Sequence, residues 1–71
     1  MSNAAITRKF FQLTDSKTID TVLGCIASHY GISEEEAKEE VLDDEAESLL
    51  DYLVEPVRSA IYVLMQRHCL I

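Results

Sequence analysis

The chain has little glycine and little cysteine, two of each in 71 residues. So few glycines leave little backbone able to cradle a phosphate, and no P-loop, dinucleotide fingerprint or G-x-S-x-G elbow is present. Cys25 and Cys69 are too few for a disulfide scaffold and show no C-x-x-C spacing. They read as small buried hydrophobes. No apolar run approaches the ~20 residues that span a bilayer. The N-terminus lacks the succession of charge, apolar stretch and small residues that marks a signal peptide. The expectation is a cytoplasmic protein with no membrane partner. Basic residues are scarce where it matters most: between residues 34 and 55, Lys38 is the only one.

What is present argues for a small folded domain. Apolar residues make up 48% of the chain, which speaks against disorder throughout. A core of this size supplies only ~3–5 kcal/mol of net stability unless a metal, a disulfide or a partner subunit adds to it. Self-association is therefore the default expectation. Met1 to Ala4 are given no part in the fold, because Ser2-Asn3-Ala4 resembles a cloning remnant.

Charge is segregated along the chain. Glu34, Glu35, Glu36, Glu39, Glu40, Asp43, Asp44, Glu45, Glu47, Asp51 and Glu55 are eleven acids against Lys38, a balance of −10. The remainder carries Arg8, Lys9, Lys17, Arg58 and Arg67 against Asp15 and Asp20, or +3, giving the total of −7. A strongly acidic middle is flanked by mildly basic ends.

Periodicity predicts an all-α protein: a small bundle of three to four helices, about 15–30, 34–42, 45–54 and 56–69, after an N-terminal arm over 1–13. The single helical domain is then 14–71. Residues 5–13 show no cap and only weak alternation, so the arm reads as extended or as a short strand, docked through Phe10, Phe11 and Leu13. Thr14, Asp15 and Ser16 can all cap the first helix of the bundle. Ile19, Val22, Leu23, Ile26, Ala27 and Tyr30 form one helical stripe, and Gly31 ends it. Gly24 inside this helix costs roughly 1 kcal/mol against alanine, and close approach of a neighbouring helix is its expected reason.

Ser33 with Glu36 is a capping box that opens the next helix at Glu34. Ala37 and Val41 are its buried line, with Ile32 as the staple. Asp44 with Glu47 repeats the box arrangement, and Ala46, Leu49, Leu50, Leu53 and Val54 give a further stripe. Pro56 disfavours helix at Glu55 and suits the first turn of a new one. From Val57 the chain is apolar nearly all round, through Ala60, Ile61, Tyr62, Val63, Leu64, Met65, Cys69 and Leu70. Such a helix is wrapped by others or shared with a second copy. Ile61, Leu64, Met65 and Leu70 are the expected core or dimer contacts.

Chemistry is thinly represented. Cys25 and His29 lie four apart and His68 adjoins Cys69, so a zinc site can be drawn. Adjacent helical residues, however, point about 100° apart, and structural zinc sites use ligand pairs from tight turns. The plainer reading is buried thiols and partly exposed histidines. A cysteine nucleophile has no oxyanion hole or orienting group in view, and the acidic run lacks the glycine of a calcium loop. The expectation is no enzyme, no cofactor and no metal.

Ile26-Ala27-Ser28-His29-Tyr30-Gly31-Ile32-Ser33-Glu34-Glu35-Glu36-Ala37 resembles the centre of a helix-turn-helix: alanine, glycine four later, an apolar residue and serine, then a small residue four beyond. The resemblance covers about a sixth of the chain, residues 26–37 of 71, and implies two helices packed at a steep angle. DNA readers place the residues after such a serine in the major groove, against phosphates. Here they are Glu34, Glu35, Glu36, Glu39 and Glu40, which reverse the sign of the electrostatic term that supplies DNA affinity. Arg8 and Lys9 are the only other candidates for that contact.

The expected function is that of a small acidic regulatory or adaptor protein, a homodimer that binds a basic protein partner. A sharper variant is an inhibitor whose acidic face imitates nucleic acid. Glu35, Glu39, Asp43, Asp44 and Glu47 are the expected partner-binding residues. A helix-turn-helix-like transcriptional regulator is the alternative, with direct nucleic-acid binding disfavoured by charge. The plainest possibility is that the acids only keep a solvated surface soluble.

Overall fold

Caps and apolar spacing set where each helix begins and ends. The computed structural model, which describes residues Met1–Ile71, is all-helical. Its elements are α1 (Asn3–Leu13), α2 (Ser16–Tyr30), α3 (Glu34–Val41), a 3-10 turn (Leu49–Tyr52) and α4 (Val57–Arg67).

The expected extended arm is instead α1. The Ala5 N–H donates to Ser2 Oγ at 3.1 Å, and the helix buries Ala4, Thr7 and Phe10, each three residues on from the last. The cap and the first buried residue lie within Ser2 to Ala4, so reading the segment from residue 5 removes its helical start. Asn3 Nδ2 also donates to the Ala46 carbonyl at 3.2 Å, tying the N-terminus to the loop after α3. Phe10 is fully buried, whereas Leu13, expected to dock, is 45% exposed.

α2 and α3 form as their local signals dictate. Asp15 caps α2 by accepting from the Thr18 N–H at 3.0 Å. Gly31 closes it in the left-handed region at φ 67°, and the Gly31 and Ile32 N–H groups both donate to the Ala27 carbonyl. Ser33 accepts from the Glu36 N–H at 3.0 Å, and its hydroxyl donates to Glu36 Oε1 at 3.2 Å. The returning bond of the box thus comes from the serine hydroxyl. Ala37 and Val41 are both fully buried against α2.

The helix expected over 45–54 is a turn-rich loop and a single 3-10 turn. Here short polar side chains bind nearby backbone and divert it from a helical ladder. Asp43 Oδ1 accepts from the Glu45 N–H at 2.9 Å, and Ser48 Oγ from the Leu50 N–H at 3.4 Å. The Glu47 N–H donates to the Tyr52 hydroxyl at 3.2 Å. Asp43 closes the turn after α3 and Ser48 caps the 3-10 turn, in place of the expected Asp44–Glu47 pair. Leu49 and Leu53 still reach the core, while Val54 stays half-exposed.

The break at Pro56 is present. Pro56 gives α4 no side-chain cap, and Glu55 supplies one: its carboxylate accepts from the Ser59 N–H at 2.9 Å and from the Ser59 hydroxyl. α4 is not enclosed as its composition suggests. Ile61 and Met65 are buried and Leu64 and Leu70 partly so, but Tyr62 and Val63 are each 44% exposed. Its end mirrors that of α2, with Cys69 at φ 58° and the Leu70 N–H donating to the Met65 carbonyl at 2.9 Å.

One core joins every element: Phe10 from α1, Val22 and Ile26 from α2, Ala37 and Val41 from α3, Leu49 and Leu53 around the 3-10 turn, and Ile61 and Met65 from α4. No helix is long and apolar enough to cross a membrane.

Candidate protein-interaction surface

α3 orients the acidic surface. With its Ala37–Val41 line buried, the 100° step of a helix puts Glu35 and Glu39 one turn apart on the opposite, outward face. Glu36 and Glu40 fall on one flank, with Glu34 and Lys38 on the other. Past Leu42 the loop carries Asp43, Asp44, Glu45 and Glu47, and all eleven acids between residues 34 and 55 are exposed. The loop is held in place by the Asn3 bond to Ala46 and by the Tyr52 bond to Glu47.

Few of these carboxylates are used by the fold. Glu36 and Asp43 serve the cap and the turn, Glu55 caps α4, and Asp51 meets Arg58 at 4.0 Å in the chain's one ion pair. Glu35, Glu39, Asp44 and Glu47, four of the five residues singled out from the sequence, extend into solvent from α3 and the loop after it. The fifth, Asp43, is exposed as well but is engaged in its turn.

Position along α3 separates two groups of acids. Glu34, Glu35 and Glu36 occupy the first turn, where the helix dipole favours negative charge. Glu39 and Glu40 occupy the last turn, where it favours positive charge. Glu35 and Glu39 are also like charges at i and i+4, which oppose the helix by a few tenths of a kcal/mol, on the order of the reverse of a favourable pair.

Two carboxylates titrate away from their ordinary values, and both are helix caps. Hydrogen bonding from Thr18, by side chain and backbone, holds Asp15 below its usual 3.8. The Ser59 hydroxyl and N–H, with Arg58 nearby, hold Glu55 below its usual 4.5. Glu55, which reads from sequence as one more surface acid, is a structural residue. Its signal is serine four residues on, across a proline.

Ile61 and Met65, expected as core or dimer contact, lie inside the chain's own core, and Leu64 and Leu70 lie at its edge. The apolar surface that α4 leaves open is Tyr62 and Val63. Cys25 is only half-buried and Cys69 is exposed, so neither is the enclosed thiol expected. The residues of the drawn zinc site are not brought together, and no group of three or more histidine, cysteine, aspartate or glutamate side chains is placed to hold a metal. Gly24 has no close neighbour: nothing lies within 4 Å of where its Cβ would stand. It borders an open concavity with Cys25, His29 and Val54 in place of a tight helix contact.

Comparison of the chain with protein-family models, with curated proteins and with solved structures gives no match.

Proposed function

We propose that this chain is a small cytoplasmic regulatory or adaptor protein, not an enzyme, that binds a basic protein partner through Glu35, Glu39, Asp43, Asp44 and Glu47. The observation that carries the reading is the placement of Glu39, Glu40 and Asp44. All three are exposed and without an ion pair; Glu39 and Glu40 stand in the last turn of α3, which favours cations, so they oppose the helix instead of serving it, and Asp44 follows in the loop just beyond. A single-sign surface of this kind accelerates encounter with a basic partner and selects among partners. In its sharper form the surface occupies a nucleic-acid-binding site on that partner, as an inhibitor. Two copies join along α4 through Tyr62 and Val63, leaving α3 outward.

The α2–turn–α3 corner supports a second reading, a helix-turn-helix-like regulator that contacts DNA through Arg8 and Lys9, both exposed on α1. Five glutamates on the would-be reading helix oppose it. A mobility shift of duplex DNA at low salt supports this alternative, and no shift removes it.

The adaptor reading is tested by placing a photo-crosslinking residue at Glu39, with Lys9 as the comparison site, and irradiating the chain in extracts of the source cells at several salt concentrations. The expected result is a protein with a basic surface captured from position 39 and not from position 9, less so as salt rises. Equal capture at both positions, or none, contradicts the proposal.

A further inference from the structure

Beside the acidic helix lies an apolar cleft of about 260 Å³, lined by Ile26, Tyr30, Ile32, Glu40 and Tyr52. Its volume is below the roughly 300–1,000 Å³ of sites for drug-sized ligands, so it suits one long side chain better than a cofactor. Its aromatic walls are in contact with their neighbours. Tyr30 and Tyr52 meet edge-on with ring centroids 6.2 Å apart, His29 packs against Tyr30 at 4.9 Å, and the Tyr52 hydroxyl takes the Glu47 N–H. Tyr30 nevertheless remains 50% exposed, and the chain does not cover it.

The cleft therefore combines an apolar floor, an open aromatic ring and one carboxylate, Glu40, which belongs to the 34–55 segment of charge −10. Of the amino-acid side chains, arginine matches all three. Its methylene stem lies on apolar surface, its planar guanidinium stacks on an aromatic face, and its fork pairs a carboxylate through two N–H donors. Lysine offers the charge and the stem without the plane or the fork.

We propose that the cleft receives an arginine side chain from a basic segment of a partner protein, its stem on Ile32 and Tyr52 above the buried Ile26 and its guanidinium against Tyr30 and Glu40. This rests on the reading of the acidic surface as the partner-binding face, and it names the residue type that anchors the partner there. The remaining acids attract any cation, whereas the cleft discriminates arginine from lysine.

The test uses the full ¹⁵N-labelled chain and two probes, alternating arginine–glycine and lysine–glycine decapeptides of equal charge, at low salt. The arginine peptide is expected to bind several-fold more tightly and to give NOEs from its side-chain methylenes to the Tyr30 and Tyr52 rings. Glu40→Gln and Tyr30→Leu each lower arginine-peptide affinity about fivefold, the scale of an exposed cation–π or rim contact. The double variant Glu35→Gln/Glu39→Gln lowers both peptides alike. Thermal melts confirm that Tyr30→Leu folds, and Glu40→Gln, on the surface, carries the test if it does not.

Equal binding of both peptides, weakened only by the Glu35/Glu39 variant, overturns the arginine cleft while the acidic-surface reading stands. Failure of both peptides to bind overturns both. Shifts of cleft resonances on raising the protein concentration alone assign the cleft to a second copy and overturn the proposal.

Discussion

Gly24 within α2 and Asp15 at its N-cap show how far single residues decide this fold. A Cβ at Gly24 meets nothing within 4 Å and the backbone there is helical. Gly24→Ala is expected to raise unfolding free energy by about 1 kcal/mol, read as a shift of the urea midpoint at constant slope. A loss of stability would show that the concavity beside it is needed. Asp15 gives the pH dependence its sign. Its folded pKa is lowered, so its cap contributes in full above the ordinary 3.8 and is lost as pH falls through the folded value. Glu55 acts in the same direction from 4.5 downward. Asp15→Asn keeps a capping oxygen and removes the charge, and is expected to flatten the acid limb of stability measured from about pH 6 to about pH 2. Residues of this kind are legible unevenly. Gly31 is readable directly from a stripe that ends one residue before it. Cys69, at φ 58°, takes the same place after α4 with no glycine to announce it, and Leu70 folds back onto the core behind it.

At the scale of elements, legibility depends on how local the signals are. α2 and α3 are written in caps and stripes within their own residues, so their bounds are readable to within about a residue. α1 is hidden because its cap, Ser2, and its first buried residue, Ala4, fall in a stretch that looks like a cloning remnant. Residues 45–54 mislead for the opposite reason. The spacing of Ala46, Leu49, Leu50, Leu53 and Val54 is compatible with a helix, but only Leu49 and Leu53 are buried. Those two need burial, and a single 3-10 turn provides it, with Asp43, Ser48 and Tyr52 taking the nearby N–H groups. A further partner of this loop, Asn3 on the Ala46 carbonyl, is 43 positions away and invisible to any window. Because α1 joins the core through Phe10, Phe10→Ala is expected to cost about 3–5 kcal/mol, comparable to the whole net stability of a domain this small. Circular dichroism should show a largely unfolded chain at 25 °C. A cooperative melt near that of the parent would mean that α1 is dispensable and that the core lies in residues 14–71 alone.

For the whole molecule, two surfaces are left open, and they lie on different helices. α4 leaves Tyr62 and Val63 open at 44% each, above a core of only eleven buried residues. Light scattering over a dilution series is expected to show a dimer whose melting temperature rises with concentration. Val63→Glu should give a monomer that melts lower, and a stable monomeric parent with a concentration-independent melt would remove α4 as an interface. The partner-binding role proposed for α3 is approachable from sequence because charge is countable there. The part contributed by structure is the distinction among carboxylates: Glu36, Asp43 and Glu55 hold caps and turns, whereas Glu35, Glu39, Asp44 and Glu47 do not. That distinction makes the central claim measurable once a partner is captured at position 39. The decisive measurement is the partner's association and dissociation kinetics with the parent and with Glu35→Gln/Glu39→Gln/Asp44→Asn/Glu47→Gln, at two salt concentrations. The expected result is a loss of affinity of about tenfold or more, carried mainly by a slower on-rate and diminished at high salt, with the fold as stable as before. Unchanged kinetics in the four-site variant would contradict the partner-binding role and leave these acids as a solvated surface.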